Sequence, residues 1–169
     1  LFSTAWDHSI HRLPLSGSGA PVTIARNLPG YPASLTPAQG GGFWLAFFAL
    51  RTQLLEFVLG EDDYRTEMMR TVDPSYWIRP SLHKISSGLE PQQGGSIKKL
   101  GETKPWAPPR SYGLVVNMTE QGTMRSSLHS RSNGSRHGTW TARQRGEDVF
   151  VCCTGADAVL IAKRELWSR

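Results

Sequence analysis

The chain has 169 residues, enough for one domain with a real core, and is 38% hydrophobic and 20% charged, with 17 Gly and 11 Pro. That balance suits a globular, β-rich fold with many turns better than a disordered chain or a helical bundle. The formal net charge is +5, but the 19 Lys and Arg are spread along the chain, so no phosphate-binding stripe forms and nucleic acid is not an expected partner.

Leu1-Phe2-Ser3-Thr4-Ala5 reads as the tail of a strand with nothing before it, so the sequence is expected to be a fragment. Ile10 to Leu15 and Pro21 to Arg26 flank the Gly-containing turn Ser16 to Ala20 and predict a hairpin. A second strand pair runs from Ser34-Leu35-Thr36 through Gln39-Gly40-Gly41-Gly42 to Phe43-Trp44-Leu45-Ala46. The apolar run Gly42 to Leu50 is about half of what a helical membrane span needs, and no signal peptide is seen, so the chain reads as soluble, with no membrane span.

Gln53 to Met69 carries helical spacing in Leu54, Leu55, Phe57, Val58, Tyr64, Met68 and Met69, with Gly60 expected to break it into two short helices. Glu61-Asp62-Asp63 should cap the second helix, where the dipole favours negative charge. Ser86 to Pro109 is rich in Gly, Ser, Lys and Pro, which disfavours helix and central strand and predicts a long loop or extended arm. Gly113 to Met118, the turn Thr119 to Gly122 and Thr123 to Ser130 predict another hairpin. Thr139-Trp140-Thr141 then leads through Gln144-Arg145-Gly146 to Val149-Phe150-Val151, and Val159 to Ala162 begins a last strand.

The neighbouring Cys152 and Cys153 lie in an apolar run and suit a strand core, since they fit neither a disulfide framework nor a spaced zinc site. Trp44, Trp77, Trp106 and Trp140 are read as core or packing residues. His8, His11, His83 and His129 are read as surface or strand residues and not as parts of a metal site. Asn117-Met118-Thr119 and Asn133-Gly134-Ser135 match the N-glycosylation pattern, which matters only in a secreted chain.

The strand pairs repeat as one four-stranded unit. Ser34 and Thr139 lie 105 positions apart, and setting aside the 62 residues from Ala49 to Arg110 leaves 43 per unit, the usual length of a propeller blade. Arg26-Asn27-Leu28-Pro29-Gly30-Tyr31-Pro32, then Gly42 to Ala46, an amphipathic helical insertion, Pro109 to Val116, Ser127-Leu128-His129-Ser130 and Arg136-His137-Gly138 follow one another in an order that resembles the strictosidine-synthase-like six-bladed β-propellers, which are related to gluconolactonases and paraoxonases. The resemblance covers nearly the whole chain and the C-terminal part of a family member. It implies a mainly β fold: one partial propeller domain over residues 1–169, about two and a half blades, with a helical and Pro-rich insertion at approximately 49–110. It also implies a missing N-terminal half of the propeller, whose absence would leave open strand edges and so favour self-association.

In such propellers a small-molecule ligand, and any metal, sits where the chain crosses between blades, here at Asn27 to Ser34 and Asn133 to Thr139. Tyr31, Ser34, Arg136 and Thr139 are the ligand-binding candidates by that resemblance. Tyr31 either offers its hydroxyl to a ligand or packs on Pro29 and Pro32. Calcium-binding relatives resemble Gly-Tyr-Pro-Asp-Asn at the first crossing; Ala33 and Ser34 stand here instead, so calcium is expected only if missing blades supply ligands. Strictosidine synthases resemble His-Phe-Glu at the second crossing, where this chain reads His137-Gly138-Thr139. Threonine cannot exchange a proton as glutamate does, which argues against strictosidine synthase activity. His137 is the catalytic candidate, as a base, or else a hydrogen-bonding residue that orders the crossing. Two functions are therefore weighed: a hydrolase acting on lactones or esters, and a non-catalytic ligand-binding or interaction module that kept the fold and lost the catalytic oxygens.

Overall fold

The computed structural model describes residues 1–16, 19–80, 82, 98–99, 102–103, 112–131, 134–163 and 165. The fold is mainly β. Strands β1 (Phe2–Thr4), β2 (Ser9–Arg12) and β3 (Val22–Ala25) form a first antiparallel sheet in chain order. Strands β4 (Gly30–Pro37) and β5 (Phe43–Leu50) begin a second sheet, and the chain then leaves it through helices α1 (Gln53–Gly60) and α2 (Asp62–Thr71) and a short 3-10 turn at Pro74–Tyr76. A two-residue ladder joins β6 (Lys98–Lys99) to β7 (Glu102–Thr103), inside the segment expected to be a loop or arm; the rest of Ser86 to Pro109 lies outside the described residues. Strands β8 (Leu114–Met118) and β9 (Met124–His129) complete the second sheet in the order β4-β5-β8-β9. Strands β10 (Thr139–Arg145), β11 (Asp148–Cys153) and β12 (Ala158–Ala162) form a third sheet. Among the described residues the sheets do not close into a ring.

Burial explains why the strands read differently in sequence. The second sheet lies between the other two, so β5 (FWLAFFAL) and β8 (LVVNM) are apolar on both faces. One face packs Phe43, Leu45, Phe47, Leu114, Val116 and Met118 against Ile10, Ile24 and Leu28; the other packs Trp44, Ala46 and Val115 against Ala142, Val149, Val151 and Cys153. Strand β11 is covered on one face and alternates accordingly, with Val149, Val151 and Cys153 buried and Phe150 and Cys152 half-buried. The thiol of Cys153 is pushed up to about 11, chiefly by burial, which suits the expected core role and leaves it a poor nucleophile. Asn117 is buried in β8, so the folded chain withholds that glycosylation pattern; Asn133 lies outside the described residues.

Polar contacts bind the second and third sheets. The Thr36 hydroxyl donates to the Ala142 carbonyl, and Gln144 Oε1 accepts from the Trp44 indole N–H (3.1 Å) and the Gln39 backbone N–H (3.0 Å). The β4–β5 turn passes through Gly40, Gly41 and Gly42, all at positive φ; a Cβ on Gly42 would run into the Met118 carbonyl.

The helical break falls where Gly60 predicts it. Thr52 caps α1, its hydroxyl accepting from the Leu55 N–H (3.2 Å), and the buried Leu55 joins Tyr31 and Ala49 in a third apolar cluster. Glu61 is the N-cap of α2 without a side-chain capping bond, while Asp62 and Asp63 occupy the first turn. The acidic run therefore acts through charge at the helix start. No helix among the described residues is long and apolar enough to cross a membrane.

Candidate functional site

Strand direction gathers one set of connections at one end of the three sheets. The start of β2 faces the end of β3 (Ile10 opposite Ala25), the start of β4 faces the end of β5 (Gly30 opposite Leu50), and the start of β10 faces the end of β11 (Thr139 opposite Cys153). The Leu28 N–H donates to the His8 carbonyl (3.0 Å), and the Thr139 hydroxyl donates toward the Phe47 and Leu114 carbonyls, so these ends are held side by side. Both inter-sheet crossings and the root of the helical insertion lie there.

A polar cluster forms at this end around Glu56 of α1. Its Oε1 accepts from the Tyr31 hydroxyl (2.5 Å) and faces His8 Nε2 (3.2 Å); its Oε2 accepts from Arg51 Nη2 (2.8 Å) and Nε (3.0 Å). His8 Nδ1 lies 3.1 Å from the Gly30 carbonyl, and Arg51 Nη1 reaches Asn27 Oδ1 at 3.4 Å. Burial pushes the Tyr31 phenol well above its usual range, reinforced by its bond to Glu56 and that group's charge, so Tyr31 stays protonated and acts as a donor. For Glu56, burial alone would raise the carboxyl, but hydrogen bonds from Tyr31 and Arg51 and the nearby positive charges outweigh it and hold the group below its ordinary value.

A group depressed in this way contributes stability above its unfolded pKa and loses it as pH falls through the folded value. Glu56→Gln, which mimics the protonated acid, should therefore be less stable than the parent chain near neutrality. The gap should close as pH falls below the ordinary value of 4.5. Urea midpoints across acidic pH test this, and a gap that stays constant or widens in acid rejects it.

Aromatic rings line the same end. The Trp6 ring is 5.5 Å from Tyr31 and 6.3 Å from Phe48, Phe48 is 5.7 Å from Tyr31, and Trp140 continues the row 5.9 Å from Phe48. Tyr31 is fully buried and Phe48 half-buried, whereas Trp6 and Trp140 are 63% and 47% exposed. Trp140 packs across the boundary between the second and third sheets on Phe48 while keeping about half of its surface exposed; Trp44 is in the core, Trp77 is half-buried, and Trp106 lies outside the described residues.

The sequence-derived candidates separate into two groups. Tyr31 belongs to the Glu56 cluster, and its ring meets Trp6, Phe48 and His8 while its hydroxyl is committed to Glu56. His137, Arg136 and Thr139 belong to a second, buried knot at the start of β10. The His137 ring is fully buried, its Nδ1 lies 2.9 Å from the Gly134 carbonyl, and it presses on Gly155, where a Cβ would overlap the ring. The Arg136 carbonyl accepts from the Gly113 N–H and the Ser130 hydroxyl (2.6 Å each), while its side chain is exposed. Thr139 is buried and spends its hydroxyl on main-chain carbonyls. Ser34 sits on β4 where the pairing register shifts, and its buried Oγ has no hydrogen-bond partner among the described residues.

The residues at the first crossing do not fit calcium. Ala33 brings no side-chain oxygen, its carbonyl already accepts from the Ser3 hydroxyl (2.9 Å), and Ser34 offers one neutral oxygen where the ion wants six to eight. Among the described residues no three His, Cys, Asp or Glu side chains converge.

Sequence reasoning missed Trp6, His8, Phe48, Arg51 and Glu56. His8, taken for a surface or strand residue, is buried in a turn at φ 49°, which aims its ring inward. His11 and His129 do lie in strands, and His83 is outside the described residues. The readable signal was Glu56 itself, a lone carboxylate in the apolar run Leu54 to Leu59 five residues after Arg51. No protein-family model, no curated protein and no solved structure matches the chain.

Proposed function

We propose that the three sheets are successive blades of a strictosidine-synthase-like propeller, and that the chain is a non-catalytic module that binds a small, flat, apolar ligand over Trp6, Phe48 and Trp140. Three antiparallel meanders stacked face to face in chain order, with both crossings at one end, support the propeller reading. The observation that carries the binding reading is the pair of exposed indoles flanking Phe48 above a hydrogen-bonded floor of Tyr31, Glu56 and Arg51. Large aromatic rings left in water, on a floor whose polar groups are already paired, form a surface that gains by being covered.

The hydrolase reading is less well supported. A base must reach the proton it removes. His137 is fully buried, and the hydroxyls of Tyr31 and Thr139 are committed to Glu56 and to backbone carbonyls.

Titration with indole, dihydrocoumarin and phenyl acetate, read by quenching of tryptophan emission, tests the proposal. Trp6→Ala and Trp140→Ala should each weaken binding about tenfold, the usual effect of truncating a central aromatic contact. Binding that is unchanged in both variants, or no quenching by any compound, overturns the reading. Turnover of the lactone or ester that disappears in His137→Ala would restore the hydrolase.

A further inference from the structure

The position of His8 carries one step more, concerning control of the same end of the molecule. Its two ring nitrogens face two oxygens, the Gly30 carbonyl at 3.1 Å and the Glu56 carboxylate at 3.2 Å. A carbonyl accepts hydrogen bonds and cannot donate them, and an ionised carboxylate is likewise an acceptor only. A neutral imidazole has one N–H, so whichever tautomer it adopts, one nitrogen lone pair opposes one of these oxygens. The doubly protonated ring alone satisfies both.

We infer that His8 is a proton-operated clasp: charged, it ties α1 through Glu56 to the β1–β2 turn and to the start of β4, and on losing a proton it releases one of the two ties. The charged and titratable groups around the pair come from each element packed there. Tyr31 from β4 donates to the same Oε1, and Arg51 from the β5–α1 connection holds Oε2. Asp7, the neighbour of His8 in the turn, is directed toward His11 at 3.7 Å. Because Arg51 stays charged and holds Oε2 as long as Glu56 is ionised, deprotonation of His8 loosens α1 without detaching it.

The clasp acts on the proposed ligand surface because His8 contacts the Tyr31 ring (4.6 Å) on which Trp6 and Phe48 rest. That link to ligand binding rests on the reading above; the clasp itself does not. Acid opposes the clasp by a second route, since protonating Glu56 removes the charged acceptor.

The test uses the ligand-free chain. Ring-nitrogen NMR of His8 and amide hydrogen exchange of residues 53–60, corrected for the intrinsic rate, are followed from about pH 5 to about pH 9, which brackets ordinary histidine titration. Protection of α1 should fall about tenfold as His8 loses its second ring proton, the scale of losing one partly exposed charge-assisted hydrogen bond. The pH profile should flatten in His8→Gln and in Glu56→Gln. Constant α1 protection while the wild-type His8 ring titrates overturns the inference even if neither variant folds. An unchanged pH profile in a folded His8→Gln overturns it as well. With no ligand present, these measurements can fail while the fluorescence titration succeeds, or the reverse.

Discussion

Replacing Gly155 with alanine should cost the fold about 3 kcal/mol, the upper end of what forced overpacking usually costs. The added methyl would overlap the His137 ring at Nε2, Cδ2 and Cε1, and neither partner can step aside. The ring is fully buried and tied to the Gly134 carbonyl. The Gly155 backbone follows Thr154, whose N–H and hydroxyl both donate to the Gly138 carbonyl at 2.9 Å. Urea denaturation of Gly155→Ala, His137→Ala and the double variant measures the coupling. The methyl should cost far less once the imidazole is gone, because the space it needs is then empty. If Gly155→Ala unfolds at the parent midpoint, or costs the same with and without His137, the ring is not where the knot requires it.

Trp44→Ala should be larger still, about 4 kcal/mol, as for truncation of other fully buried large aromatics. The indole fills the space between β5 and the third sheet against Ala142, Val149 and Val151. Its N–H is also one of two donors that hold Gln144 Oε1. Trp44→Phe keeps most of the volume and gives up the hydrogen bond, so it should lose about 1–2 kcal/mol. The Phe48–Trp140 contact crosses the same boundary between β5 and β10, so a folded Trp44→Ala should also show altered Trp140 emission. Equal stability of the alanine and phenylalanine variants would mean that packing between these sheets does not depend on the indole.

Much of the strand framework was legible because it is written locally. The apolar run Val149 to Cys153, the triple glycine before Phe43 and the helix break at Gly60 each depend on neighbours in sequence, and the strands and helices fall there. The two-residue ladder at 98–103 escaped notice because Pro, Gly and Ser around it outweigh so short a pairing. The site was less legible because its partners meet only in three dimensions. His8 and Glu56 are 48 residues apart, and neither spacing nor periodicity links a turn histidine to a helix carboxylate. Tyr31 was read at the first crossing and stands at the start of β4, but Glu56, which determines what its hydroxyl does, came from the insertion. Thr139 looked like a position facing a ligand; its hydroxyl instead serves as a staple between strands, a role that depends on carbonyls contributed by β5 and β8.

Phe47 of β5 lies directly opposite Leu114 of β8, so everything between them is, topologically, one very long hairpin connection. The sheet asks only that its two ends arrive 4.7–4.9 Å apart, the ordinary distance between neighbouring strands. Loop-closure entropy grows only with the logarithm of length, so descendants of this gene could lengthen, trim or exchange the stretch beyond α2 at little thermodynamic cost while the strand register stays put. The first helix is under tighter constraint, since shortening the connection past Glu56 would strip a partner from residues on two different sheets.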